Sequence, residues 1–311
     1  MQIIADWTEK HTRAYGREIM MVHHRLEETG LFTDDALIHL LDKHPSNMLD
    51  VCAMAPEPEL YDRHMTVDFR GVDSQTLLDM VKRDQLWVNI REGMTTHPEY
   101  KEVMDQLLDE LEAVTGIKEN RAKCYGGILI SSKTAKAAYH HDATRTNLWH
   151  IRGHKRAFIY PINDKFLPDE AYEKTVIGQP DEDTSYTPEF DKDAKIFDLY
   201  GGEMVTWPHP SPHRVENRTF CVSMVTEFCT RQTAYYNSVM FANGILRRNL
   251  GMNPNFRKAS KLENMCKFAL GAVLRKSGAE RMHRRQDLVR YKLDPSDTQV
   301  LKPVEPFVRD F

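Results

Sequence analysis

Three residues set the chemistry open to this sequence: His140 and Asp142, two positions apart, and His213 in the run GGEMVTWPHPSPHRVEN. Two imidazoles and one carboxylate can occupy one face of a divalent metal and leave the opposite positions open. That donor set suits iron(II). A histidine-x-aspartate triplet often arises by chance, so the reading depends on what brings His213 onto the other two.

Strand alternation sends residues i and i+2 to one side. An extended segment through His140 and Asp142 therefore aims both side chains at one point. His213 must come from a different strand, about 70 residues later. From Lys123 to Phe228 short β-rich runs follow one another: CYGGILI, NLWHI, KRAFIYP, GEMVTW and FCVSMVTEF. This pattern predicts an antiparallel barrel or jelly roll, the architecture of cupins. Inward-facing positions on neighbouring strands of such a barrel lie close together.

The flanks read differently. The first 45 residues read as helical, with Thr33 capping Asp34 to Lys43 ahead of Pro45. Met48 to Met54 reads as a strand, Ser74 as the cap of a helix over Gln75 to Asp84, and Leu86 to Glu92 as a strand. A long helix over Pro98 to Val114 carries Val103, Leu107, Leu111 and Val114 on one stripe, with Gly116 past its end. After Thr230, Leu262, Met265, Cys266, Ala269, Leu270, Val273 and Leu274 follow the spacing of an amphipathic helix. The acidic stretch between Ile162 and Tyr200 reads as a solvated loop or as a lid over the barrel mouth. The expected class is α+β, a double-stranded β-helix (jelly-roll, cupin) core with N-terminal and C-terminal helical additions. The expected parts are 1–120, 121–230 with the insertion at 162–200, and 231–311.

Bulk properties narrow the function classes. At 311 residues with 41% hydrophobic and 28% charged content, the composition is that of an ordinary globular protein. A net charge of −4 implies no global attraction to nucleic acid. The first residues show no secretory signal, and no segment has the roughly 18 apolar residues of a membrane helix. Five scattered cysteines without C-x-x-C spacing argue against a disulfide framework or structural zinc, and point to a cytoplasmic protein.

The register around the triplet is more specific than the triplet. Gly153 and Lys155 follow His140 by 13 and 15 residues, and Pro208 and His213 follow Gly202 by 6 and 11. With HHD, GHKRAFIYP, GGEMVTWP and HRVEN in that order, the segment Lys123 to Phe228, a third of the chain, resembles the JmjC-like cupins. These belong to the Fe(II)/2-oxoglutarate-dependent oxygenases. The resemblance implies that His140, Asp142 and His213 bind Fe(II). It implies that Lys155 pairs with the distal carboxylate of 2-oxoglutarate, and that Thr146 or Asn147 lies near that cosubstrate. It further implies oxidative decarboxylation of 2-oxoglutarate coupled to C–H hydroxylation. Related halogenases lack the carboxylate ligand, so Asp142 favours hydroxylation.

Some positions depart from the family pattern. Glu203 stands for the usual Asp, and Ala137 for a common Thr, so a second hydroxyl must come from Tyr125, Ser131 or Ser132. Glu227 stands where many members have Asn. Among rival histidines, His141 has Ala143 at i+2 and so lacks a carboxylate partner, and His209 has the less fitting distance from Gly202. His150 faces the barrel interior, the core or the surface, His154 lies on the same hairpin, and the tandem His23–His24 pair is expected in a helix.

The substrate class stays open: a small molecule, a carrier-bound group or a peptide. Residues 247 to 292 hold 13 Lys/Arg against three acids, a basic face that either is simply solvated or docks an anionic partner. No nucleic-acid-binding motif accompanies it. The family resemblance implies a homodimer through C-terminal helices. The alternatives are a cupin-fold metal-binding protein without 2-oxoglutarate turnover, in a regulatory or binding role, and a metal-dependent cupin isomerase or dioxygenase that uses no 2-oxoglutarate.

Overall fold

The computed structural model of the chain describes residues 1–54, 64–83, 86–178, 186–278, 288–296 and 300–309. The amino-terminal part forms α1 (Glu9–Ala14), β1 (Met20–His23), α2 (Asp34–Lys43), β2 (Leu49–Met54), β3 (His64–Thr66), α3 (Ser74–Arg83), β4 (Leu86–Ile90), α4 (Gly93–Thr96) and α5 (Pro98–Thr115). The middle forms β5 (Cys124–Ser131), β6 (Lys136–His140), β7 (Arg145–Arg152), β8 (His154–Ile159), α6 (Asp169–Val176), β9 (Lys195–Tyr200), β10 (Glu203–Thr206), β11 (His213–Asn217) and β12 (Cys221–Phe228). The chain continues through α7 (Arg231–Leu250), α8 (Lys261–Lys276), β13 (Leu288–Leu293) and β14 (Leu301–Val308).

Local signals place several of these elements. Thr33 Oγ1 accepts the Ala36 amide and starts α2, and Gly116 at φ 68° ends α5. Asp73, one residue ahead of the expected Ser74, caps α3, because its carboxylate accepts both the Thr76 amide and the Thr76 hydroxyl. The buried residues of α5 are Tyr100, Met104, Leu107, Leu108 and Leu111, with Val103 and Val114 at the edge of the stripe.

Two antiparallel sheets face each other. The larger has the order β1-β10-β7-β12-β5-β4-β2-β3 and the smaller β6-β11-β8-β9. Between them lie Leu148, Ala157, Ile159, Leu199, Val205 and Trp207. The outer face of the large sheet carries Trp149, Ile151, Met204, Val222 and Met224 into a second core with α2, α3 and α5. The jelly roll with added helices expected from the sequence is thus the observed architecture.

Three expectations need correction. The first 45 residues are not uniformly helical. Met20–His23 is a strand that extends the large sheet by pairing with β10, and the His23–His24 pair closes that strand. The acidic stretch is not all insertion, because its last six residues are β9, paired along its length with β8. The tail past α8 is a β-hairpin rather than helix.

The β7–β8 hairpin turns on Gly153 at φ 94°, where a Cβ would come within 2.2 Å of the Phe220 carbonyl oxygen. Only glycine fits that approach. At the other end of the chain, α8 crosses α7 through Gly271, where a Cβ would lie 2.1 Å from Ser238 O. The crossing buries Asn264, Lys267 and Gly271 and turns Leu262, Met265 and Val273 outward, at 71, 62 and 63% exposure. Among the described residues no helix is long and apolar enough to cross a membrane.

Candidate metal centre

His140 and His213 face each other directly across the β6–β11 pair. Their ring centroids are 4.1 Å apart. β6 stops at His140, and Asp142 reaches the same point from the loop that follows, rather than by alternation along a strand. Its carboxylate stands 4.0 Å from His140 Nε2 and 3.6 Å from His213 Nε2. One donor atom from each of the three lies within 4.8 Å of the others.

The hydrogen bonds select the donors. His140 Nδ1 lies 2.6 Å from Ala138 O and His213 Nδ1 lies 3.1 Å from Ser211 O. A carbonyl only accepts, so both Nδ1 atoms carry the proton and the Nε2 lone pairs point at the common centre. Burial pushes His213 down to about 4, helped by His140, and so favours the neutral ring a metal requires. For Asp142, burial pushes the pKa up, but the pull of His213 and His140 outweighs it and the net shift is downward. The Thr146 hydroxyl lies beside this carboxylate without a well-formed hydrogen bond, and Asp142 Oδ2 is buried with no hydrogen-bond partner among the described residues. Converging lone pairs and an orphaned buried carboxylate oxygen fit a divalent cation.

Further along the same sheet interior lies a pocket of about 60 Å³, open to solvent on one side and lined by Trp87, Leu129, Ser131, Leu148, Lys155 and Asn217, among others. β11 links it to the metal centre, because His213, Val215 and Asn217 alternate onto one face. Lys155 pairs with Asn217 and Ile159 with His213 in the β8–β11 register. The four-residue offset puts Lys155 about 13 Å along the strand from the metal-facing position. Lys155 is 3% exposed and has no hydrogen-bond or ion-pair partner among the described residues. Burial lowers its pKa, opposed only by the Cys221 thiol.

The two alternatives near the cosubstrate separate by face. Thr146 is turned toward Asp142. Asn147 is on the opposite face, where its Nδ2 donates to Tyr15 Oη and Thr226 Oγ1, away from the cavity. The three hydroxyl candidates separate as well. Ser131 lines the cavity and accepts from Asn217 Nδ2 at 2.8 Å, which leaves its own proton to donate. Ser132 is engaged by the Ala135 amide, and Tyr125 lies at the far end of its strand.

The rival histidines have other partners. His141 Nε2 contacts Thr175 Oγ1 at 2.9 Å and its ring stacks on Tyr172. His209 Nε2 donates to Tyr172 Oη at 2.8 Å, and Tyr172 donates in turn to Asn237 Oδ1. Asn237 Nδ2 donates to Ala143 O in the loop that carries Asp142. The helix α6 of the insertion therefore walls the metal centre and braces its loop. His150 is fully buried between the sheets, with Nδ1 on Ser223 Oγ and Nε2 without a hydrogen-bond partner among the described residues. His154 stacks on Tyr200 at the surface and pairs with Asp198. Sequence reasoning missed Trp87, from a strand outside the resembling segment, and the Tyr172–Asn237 brace. Neither carries a local motif.

No protein-family model matches the sequence, and no curated protein matches it. Solved structures do. A structure of YcfD, a ribosomal oxygenase from Escherichia coli, in complex with cobalt and 2-oxoglutarate superposes with a TM-score of 0.50 at 13% identity. The match covers 90% of this chain and 69% of that one. The same protein with cobalt and succinic acid gives a TM-score of 0.48 at 11% identity, covering 91% and 70%. The first of these likenesses establishes a shared jelly-roll fold.

Proposed function

We propose that this chain is an Fe(II)/2-oxoglutarate-dependent oxygenase of the JmjC-like cupins, most simply a hydroxylase. The observation that carries the reading is the pairing of a two-histidine, one-carboxylate centre with a buried, unpartnered lysine one cavity away. In this reading His140, Asp142 and His213 hold the iron, Lys155 and Ser131 bind the distal carboxylate of 2-oxoglutarate, and Thr146 orients Asp142. Bound iron and cosubstrate supply the oxidising chemistry. The chain fixes both Nε2 lone pairs through backbone carbonyls, keeps His213 neutral, and excludes water with Leu148, Val215 and Trp87. A buried ammonium without a counter-ion costs several kcal/mol unless a ligand supplies the opposite charge, and a small dicarboxylate does so.

The substrate is a small molecule, a carrier-bound group or a peptide. Since the solved relative in fold is described as a ribosomal oxygenase, peptide-borne substrates are the first to screen. The homodimer belongs to the same reading, through the apolar stripe that α8 turns outward. An anionic partner would use the basic stretch 247–292, of which Arg281, Arg284 and Arg285 lie outside the described residues. A cytoplasmic location completes the reading.

The test is anaerobic titration of the protein with Fe(II) and 2-oxoglutarate, followed by oxygen. A metal-to-keto-acid charge-transfer band and succinate release are expected, and both disappear in His140→Ala and Asp142→Ala. Metal binding without either signal would support a cupin-fold binding protein instead.

A further inference from the structure

The three donors are not held alike. His140 and His213 belong to β6 and β11 and face each other in one ladder. Each ring is fixed further by the backbone carbonyl two residues upstream, Ala138 O and Ser211 O. Asp142 lies between strands, since β6 stops at His140 and β7 starts at Arg145. What holds its loop comes from outside the barrel, on both sides of the aspartate. Before it, the His141 ring stacks on Tyr172 of α6, and its Nε2 contacts Thr175 Oγ1 at 2.9 Å. After it, Ala143 O accepts Asn237 Nδ2 of α7 at 2.7 Å. Tyr172 joins the two restraints, because its hydroxyl donates to Asn237 Oδ1 at 2.5 Å. α6 and α7 are themselves held in register along one stripe of α7, at the helical spacing of Tyr236, Met240, Gly244 and Arg247. Tyr236 and Met240 pack with Tyr172, Gly244 leaves room for Ile177 and Glu173, and Arg247 pairs with the buried Glu173 carboxylate.

We infer that Asn237, seated by Tyr172, is a positioning residue that sets the Asp142 carboxylate for the metal. The inference rests on the reading of His140, Asp142 and His213 as metal ligands. A carboxylate on an untethered loop loses conformational entropy when it binds, and a backbone fixed beforehand spares that cost. The hydrogen bond to Ala143 O fixes the peptide plane after Asp142, and the stacking of His141 fixes the backbone before it. The side-chain torsions of Asp142 are then the main freedom left to adjust. The barrel thus supplies the two imidazoles, and α6 and α7 supply the restraint on the carboxylate. Asn237 acts through Asp142, whereas Lys155 and Ser131 lie at the other end of the interior, outside its reach. The amide is needed at both ends, because Nδ2 donates to a carbonyl and Oδ1 accepts a phenol proton. Leucine at 237 makes neither bond.

The experiment measures Mn(II) affinity of the full chain by electron paramagnetic resonance, with the melting temperature recorded for each variant. Asn237→Leu is expected to weaken Mn(II) about tenfold or more, the range found for residues that orient metal ligands. Tyr172→Phe keeps the ring on His141 and loses the hydroxyl, and is expected to weaken Mn(II) severalfold. Combining the two should add little to Asn237→Leu, because the hydroxyl acts through the amide. Ser238→Ala is the stability control. It removes a hydrogen bond to Phe268 O of α8, one residue away on α7, and should lower the melting temperature while leaving Mn(II) affinity unchanged. At saturating Mn(II), 2-oxoglutarate affinity by calorimetry should stay within about twofold in Asn237→Leu, since Lys155 and Ser131 are untouched. A general loosening of the site would weaken both ligands. Unchanged Mn(II) affinity in Asn237→Leu, a loss matched by Ser238→Ala, or equal losses of Mn(II) and 2-oxoglutarate overturn the inference. A wild type that binds no Mn(II) overturns the metal reading and the inference with it. A wild type that binds Mn(II) but not 2-oxoglutarate overturns the oxygenase reading alone, and the Mn(II) comparison still decides the role of Asn237.

Discussion

The two ends of the barrel interior each hold a charge with no counter-ion among the described residues, and the charges have opposite sign. At the deep end Lys155 is enclosed by Leu148, Val215 and Ser131 and has almost no exposure. At the metal end Glu227 stands beside an open tyrosine ring and a second carboxylate. Burial shifts both toward their neutral forms, Lys155 downward and Glu227 upward. A fold tolerates such groups where a ligand completes them. The difference teaches that one closed sheet can leave opposite charges uncompensated at the two ends of the same interior, four residues apart along β8 at one end and at the close of β12 at the other.

The largest effect is expected between these ends, at the metal centre. His213→Ala should abolish Mn(II) binding seen by electron paramagnetic resonance and lower succinate release by more than about 100-fold, since even residues that only orient metal ligands are worth 10- to 100-fold. His209→Ala, which loses the contacts with Tyr172 and Tyr236 but no proposed donor, should retain metal. Equal losses in the two variants would undo the choice of His213.

Lys155→Met comes next and acts in two directions. It should weaken 2-oxoglutarate on the order of 100-fold, since truncating one partner of a buried charge pair costs 2 kcal/mol or more. It should also raise the melting temperature of the metal-free protein, because an unpaired buried charge is gone. A lowered melting temperature would mean that Lys155 already has a partner and that the contrast between the ends is false.

Glu227 gives a signed pH dependence. Its folded pKa of about 7 stands above the ordinary 4.5, so its contribution to stability is present below about 4.5 and is lost as pH rises through 7. Relative to Glu227→Gln, the metal-free wild type should therefore lose stability on chemical denaturation as pH rises over that window, superposed on the opposite trend that the buried histidines with lowered pKa values give both proteins. The smallest change belongs to Ser131→Ala, where one hydrogen bond to a carboxylate is removed and 2-oxoglutarate weakens about tenfold by calorimetry.

Much of this was legible along the chain. The caps of α2 and α5 and the apolar stripe of α5 depend on neighbours within one or two turns, and they fall where the pattern puts them. Where a partner lay far away, the pattern failed. Met20–His23 is a strand only because β10 offers it an edge, and no local signal records an edge. The α8 stripe has helical spacing, yet Gly271 lets α8 approach α7 by its small and polar side and leaves the stripe outside.

The sequence by itself carried the three candidate donors, their order and the short β-rich runs that predict a jelly roll, because residue identity and short-range periodicity are written locally. The tertiary structure decided the rest. Strand register set His140 opposite His213, and a loop rather than strand alternation carried Asp142 to the same point. The pleat turned Thr146 inward and Asn147 outward, and placed Tyr125 beside Glu227. A one-residue change in register reverses every such choice, and register is settled only when the whole sheet closes around its core.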